Sequence, residues 1–164
     1  MTDPPMRRRI RQAVEDYPGL HLRELARHLG TSVALVEYHV PFLVTQGLVE
    51  RVEEGNLHRL YPAALPQRDR ARLAALRDRA GLQVVMVLLD RGPLRHGALA
   101  KATRLGKSTL SFRLRRLEEA GLVAQADGAY AAVAPAELRR LLARHRPTPD
   151  LMDRFAGLWS DLYG

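Results

Sequence analysis

Between Lys107 and Arg116 the chain reads Lys-Ser-Thr-Leu-Ser-Phe-Arg-Leu-Arg-Arg. Lys107, Ser108, Thr109 and Ser111 put a cation and three hydroxyls at the head of this stretch, and Arg113, Arg115 and Arg116 follow closely. At helical spacing Leu110, Leu114 and Leu117 form one inward face, which leaves the arginines on or beside the exposed one. Short polar side chains at the positive end of a helix suit phosphate oxygens and base edges. Neighbouring cations hold phosphates. The chemistry predicted is recognition of an anionic polymer, with no bond made or broken.

Catalytic chemistry finds little footing. The sequence has no cysteine, which removes disulfide scaffolds, thiolate-bound zinc, iron–sulfur clusters and thiol nucleophiles. His21, His28, His39, His58, His96 and His145 form no compact metal motif with carboxylates, and they read as structural or solvent-facing. Arg104-Leu105-Gly106-Lys107-Ser108 ends like a phosphate loop but lacks the earlier glycine and the preceding strand. No paired carboxylates and no nucleophile–base spacing stand out. The expectation is a protein without cofactor, metal or enzymatic activity.

The placement of charge supports the first reading. The 164 residues carry 26 Lys plus Arg against 18 Asp plus Glu, a net charge of +8. Residues 1–66 hold 8 of each sign and residues 122–164 hold 5 of each, whereas residues 67–121 hold 13 basic and 5 acidic side chains. A basic middle third suits a polyanion such as nucleic acid. Compositional bias explains why only Lys101 and Lys107 are lysines, but it does not explain the clustering. The arginines between 68 and 80 read first as a solvated face with Asp and Glu partners, and second as further contacts to the polyanion.

With 46% hydrophobic and 27% charged residues the chain has material for a core, and 5% aromatics means that Leu, Val and Ala build it. This composition favours helices. No apolar signal stretch follows Met1 to Arg9, and the longest apolar run, Val84 to Leu89, is far short of the roughly 20 residues of a membrane helix. A cytoplasmic, nucleoid-associated protein without membrane contact is expected.

A shift of 74 residues aligns the sequence with itself: Leu25-Ala26 falls on Leu99-Ala100, Tyr38 on Phe112, Leu43 on Leu117, and Gly47-Leu48-Val49 on Gly121-Leu122-Val123. Two copies of one small unit are implied. In the first, Pro4-Pro5 opens a helix that stops at Pro18-Gly19, and a second helix ends at Gly30. Ser32 caps a third, with Leu35, Val36, Val40 and Leu43 inward and Gly47 closing it. Residues 48–52 and 57–61 flank Glu53-Glu54-Gly55-Asn56 as a hairpin. The second copy starts with a charged helix from Arg68 to Ala80, which Gly81 breaks or kinks before 82–89. Helices at about 97–104 and 107–120 follow, then a hairpin turning at Asp127-Gly128. Pro135 and Pro149 open two closing helices. The last carries Leu151, Met152, Phe155, Leu158, Trp159 and Leu162 on one face, suited to a core or to a dimer seam. The expected units are residues 1–65, 66–134 and 135–164.

Helix, short turn, helix and hairpin is the winged helix-turn-helix plan. The stretch from Ala98 to Val123, with "KST" at 107–109 and "LRRLEEAGLV" at 114–123, resembles winged-helix transcriptional regulators of the MarR/ArsR type. The first copy, with "ELARHLG" at 24–30, Tyr38-His39 and Gly47-Leu48-Val49, is similar to the tandem winged-helix regulators common in archaea. The resemblance covers roughly residues 5–135. It implies a mainly α fold with small β-hairpin wings (α+β), two winged helix-turn-helix modules and C-terminal helices. It also implies DNA binding through Lys107, Ser108, Thr109, Ser111, Arg113, Arg115 and Arg116.

The first copy departs from that pattern. Pro41-Phe42 stands where the second copy has Arg115-Arg116, and Val44 stands where it has Glu118. An interior proline costs a helix about 3 kcal/mol and kinks it. Glu53 and Glu54 would repel phosphate at the wing tip. Pro41, Phe42 and Val44, with Phe155 and Trp159 on the last helix, are therefore the expected partner or dimer surface. The expected function is transcriptional regulation, with the second copy in the major groove of double-stranded DNA. The first copy then serves oligomer, protein-partner or small-effector contacts, and a homodimer is favoured over a monomer spanning two grooves. A non-specific architectural chromosome protein and a winged-helix protein-interaction module are the alternatives.

Overall fold

The computed structural model describes residues 4–147 and 149. These divide into two compact units: one runs up to Arg70 and includes the described residues from Arg144 onward, and the other spans Ala71–Ala143.

In the first unit α1 (Pro5–Asp16) begins with Pro at its first position, where no amide is needed. A capping box starts α2 (Leu22–Leu29): the His21 ring accepts from the Glu24 amide, and the Glu24 carboxylate accepts from the His21 amide, both at 3.3 Å. Gly30, at φ 66°, ends it in the left-handed conformation that glycine adopts without penalty. Ser32 caps α3 (Val33–Thr45) by accepting from the Leu35 amide at 3.2 Å. The antiparallel strands β1 (Val49–Glu54) and β2 (Leu57–Pro62) complete the unit. His21 adds an isolated bridge to β2 at Arg59, and Leu60 beside it donates to the Leu20 carbonyl at 3.0 Å. Ile10, Val14, Leu25, Val36, Leu43 and Leu60 fill the core.

Two details differ from expectation. Leu35 is 37% exposed rather than inward, because Val36, Val40 and Leu43 set the buried face and Leu35 lies about 100° away from Val36 around the helix. Glu53 and Glu54 belong to β1, opposite His58 and Leu57, so only Gly55 and Asn56 turn the chain.

After α4 (Gln67–Leu76), the second unit continues with α5 (Arg79–Arg91), β3 (Leu94–Arg95), α6 (His96–Thr103), α7 (Lys107–Glu119), β4 (Val123–Ala126), β5 (Ala129–Ala132) and α8 (Pro135–Arg144). The expected single helix from Arg68 is instead broken before Asp78, which caps α5 by accepting from the Gly81 amide at 2.8 Å. Gly81 does not break the helix. A Cβ at this position would meet the Ala75 carbonyl at 3.2 Å, so glycine permits a close approach inside α5. The strand order is β3-β5-β4, and the tiny β3 was not anticipated. Asp127 and Gly128, at φ 53° and 78°, make the β4–β5 turn. Leu82, Met86, Leu99, Leu110, Leu114 and Leu117 form the core.

The two units repeat at one spacing. Pro5 and Arg79 open the first helices, Leu22 and His96 the second, and Val33 and Lys107 the third, each pair 74 residues apart. The last apolar stripe, including Phe155 and Trp159, lies outside the described residues. Among the described residues no helix is long and apolar enough to cross a membrane.

Candidate nucleic-acid interface

Helix α7 divides cleanly. Leu110, Leu114 and Leu117 are buried, whereas Lys107, Ser108, Thr109, Ser111, Phe112, Arg115 and Arg116 are exposed. At about 100° per residue, Ser108, Phe112 and Arg115 lie near the middle of the outward face, with Arg116 on one flank. Gly106 provides no side-chain cap. The first amides of α7 therefore stand at an electropositive terminus suited to an anion. Lys107, Ser108 and Thr109 surround that terminus.

Ser111 and Arg113 lie on opposite flanks and are engaged by neighbours. Ser111 Oγ is 2.9 Å from His96 Nε2, the ring at the start of α6. Arg113 Nε is 3.3 Å from Asp78 Oδ2, so the same carboxylate caps α5 and holds this guanidinium. Ser108, Thr109, Arg115 and Arg116 thus share the outward face, with Ser111 at its edge and Lys107 exposed beyond Ser111 at the start of the helix. Arg113 sits apart, half-buried against Asp78.

In α3 the same geometry carries different chemistry. Tyr38, at the position of Phe112, is 63% exposed, and Val33, Leu35, Phe42 and Val44 are exposed with it. Pro41 lies inside an unbroken helix. The Arg7 guanidinium covers the Phe42 ring at 3.8 Å, and its Nε donates to His39 Nδ1 at 3.3 Å. Tyr38 packs on the other side of Phe42, with ring centres 5.8 Å apart. Glu37 pairs with Arg51 at 3.1 Å. This outward face is mainly aromatic and aliphatic. Arg7 is its cation, already placed on a ring.

A family model described as an N-terminal HTH domain matches residues 4–73, and the model of the bacterial regulatory protein arsR family matches residues 81–125. The chain carries two helix-turn-helix domains in tandem. An HTH-type transcriptional regulator of Methanocaldococcus jannaschii is 32% identical over 117 residues. The match takes in 71% of this chain but only 29% of that relative. Among solved structures, the mRNA-binding domain of elongation factor SelB from E. coli aligns over 80% of this chain and 99% of its own, at 13% identity and a TM-score of 0.30. ScpB from Mycobacterium tuberculosis aligns over 86% of this chain and 98% of its own, at 17% identity and 0.31. Both scores are too low to bear on function.

Two features of this tandem helix-turn-helix chain escape its sequence. Arg70 and Arg72, read as part of a solvated face, are 6% and 4% exposed. Arg70 donates to the Leu65 carbonyl at 2.9 Å and to Glu50 at 2.7 Å, and Arg72 lies 3.4 Å from Glu137. The hydrogen bond from Arg70 outweighs desolvation and, with a lesser contribution from its charge, holds the Glu50 carboxyl below the usual glutamate value. Part of the basic excess is therefore spent inside the fold.

The second feature is Arg95. β3 pairs Arg95 with Ala129, and a Cβ on Gly128 would meet Arg95 Nη1 at 2.7 Å, so the guanidinium lies across the wing turn. The only signal for this in the sequence is the Gly of Asp127-Gly128, which leaves room for it.

Proposed function

We propose that the chain is a DNA-binding transcriptional regulator whose second unit lays α7 in the major groove. The observation that carries this reading is the outward face of α7, where Ser108, Arg115 and Arg116 stand beside an uncapped N-terminus flanked by Lys107 and Thr109. Recognition helices place such N-terminal residues at base edges while cations hold phosphates. The arsR-family match over the second unit and the name of the Methanocaldococcus jannaschii relative support the same reading. Ser111 and Arg113 complete the proposed contact set, the first poised by His96 and the second released from Asp78 on binding. Arg95 reaches phosphate from the wing.

The first unit takes another role. Pro41, Phe42 and Val44 on α3 suit a subunit, a protein partner or a small effector better than a groove, and on its wing Arg59 is taken up by Glu54 at 3.0 Å, beside the exposed Glu53. Phe155 and Trp159 extend this role to the end of the chain. Two second units in a homodimer would read half-sites about 34 Å apart, and the protein would work at the nucleoid in the cytoplasm.

Selection of bound sequences from a random duplex pool, followed by salt titration on the winner, tests this. An enriched, palindromic site supports the dimeric regulator. Salt-sensitive binding without enrichment would replace it with an architectural protein, and no binding even at low salt would leave protein interaction through α3 as the role of the fold.

A further inference from the structure

Phe112 stands where a solvent-facing residue is expected to be polar. It is 52% exposed, near the middle of the outward face of α7, with Ser108 one turn before it and Arg115 and Arg116 one turn after. Core packing does not account for it, since Leu110, Leu114 and Leu117 cover that side. The guanidinium carbons of Arg113 and Arg116 lie 5.4 and 5.9 Å from its ring centre, within the range of cation–π contact. The ring is thus flanked by cations and presented outward between them.

We propose that Phe112 is a specificity-determining contact that reads the 5-methyl group of thymine in the major groove. This rests on the DNA-binding reading of α7. Of the groups displayed by base pairs in that groove, the thymine methyl is the apolar one, and phenylalanine is among the side chains that meet it. A phenyl ring has no hydrogen bond to offer the other edges. Arg115 and Arg116 fix the helix on phosphates while the ring selects a methyl-bearing step between them. The equivalent Tyr38 is also exposed, but its neighbours one turn on are Pro41 and Phe42, so that helix lacks the cations that would bring its ring to a base.

The test uses the full chain and the duplex selected from a random pool. Each thymine is replaced in turn by deoxyuridine, which removes only the methyl group. The natural protein is expected to lose about fourfold in affinity at one thymine per half-site, the effect of one desolvated methyl group. Phe112→Ala should bind the thymine and deoxyuridine duplexes equally, and Phe112→Leu should keep part of the discrimination. Because the ring is exposed, circular dichroism should show both variants folded. Indifference of the natural protein to every methyl group, or an unchanged deoxyuridine penalty in Phe112→Ala, overturns the role of Phe112 alone. Equal weakening of the Phe112→Ala variant on both duplexes and on single strands would make the ring a general stacking wedge, which also overturns it. Failure to bind any duplex would overturn the DNA-binding reading as well.

Discussion

Arg70 and Glu50 meet at 2.7 Å, a buried guanidinium held by a carboxylate on the surface strand β1. Arg70 lies in the segment whose charge excess points to nucleic acid, yet this cation serves its own fold. Arg70 also donates to the Leu65 carbonyl and lies over the Tyr61 ring at 4.9 Å. Arg70→Ala should therefore lower the unfolding free energy by about 2 kcal/mol in urea titration, the scale of losing charge-assisted hydrogen bonds.

The same pair sets a pH dependence. The Glu50 carboxyl is held below its ordinary value, so its contribution is fully present above the ordinary glutamate pKa. It is lost as pH falls through the lowered folded value. Urea midpoints taken from pH 7 down to acid should fall more gently in Glu50→Gln than in the natural chain, because the variant has already lost this contribution. Parallel curves would contradict the assignment.

Pro41 carries a strain that α3 tolerates. Without an amide, it leaves the Glu37 carbonyl unserved within a continuous helix. Pro41→Ala should raise stability by about 2 kcal/mol in thermal or urea unfolding. Affinity for DNA should not change if α7 carries the contact.

Much of the fold can be read from the sequence because its signals are local. Ser32, Gly30, Gly47 and Asp127-Gly128 each dictate a backbone event by their own chemistry, and the repeat carries them from one unit to the next. Leu110, Leu114 and Leu117 mark the buried side of α7 by spacing alone, which exposes the candidate contacts by difference. What escapes depends on partners distant in sequence. The burial of Arg70 needs Glu50 and the Leu65 carbonyl, and the two-residue β3 exists because β5 is there to pair with it. Asp78, rather than Gly81, begins α5 because a capping carboxylate outweighs the flexibility of glycine. The apolar stripe with Trp159 lies beyond the described residues.

His96 and Ser111 should act as a unit. Ser111→Ala and His96→Ala are expected to weaken binding to the selected duplex by similar amounts, a few-fold each, and the double variant should be no worse than either. Independent, additive losses would mean that the ring contacts DNA on its own rather than through the hydroxyl.

Asp78 serves both an N-cap and Arg113, so its removal separates stability from binding. Asp78→Ala should lower stability by about 1 kcal/mol. It should also raise DNA affinity, because it removes a competing anion and frees the guanidinium. Unchanged affinity would show Arg113 to be a structural cation.

In the proposed complex Arg115 and Arg116 on α7 hold DNA. The most direct measurement is the salt dependence of binding to the selected duplex, for the natural protein and for Arg115→Ala/Arg116→Ala. Each lost phosphate contact lowers the slope of log affinity against log salt by about 0.9 per phosphate. The variant should therefore bind more weakly and with a slope shallower by roughly 2 for each α7 engaged. An unchanged affinity and slope would contradict this role of α7 and place the contact with DNA on another surface.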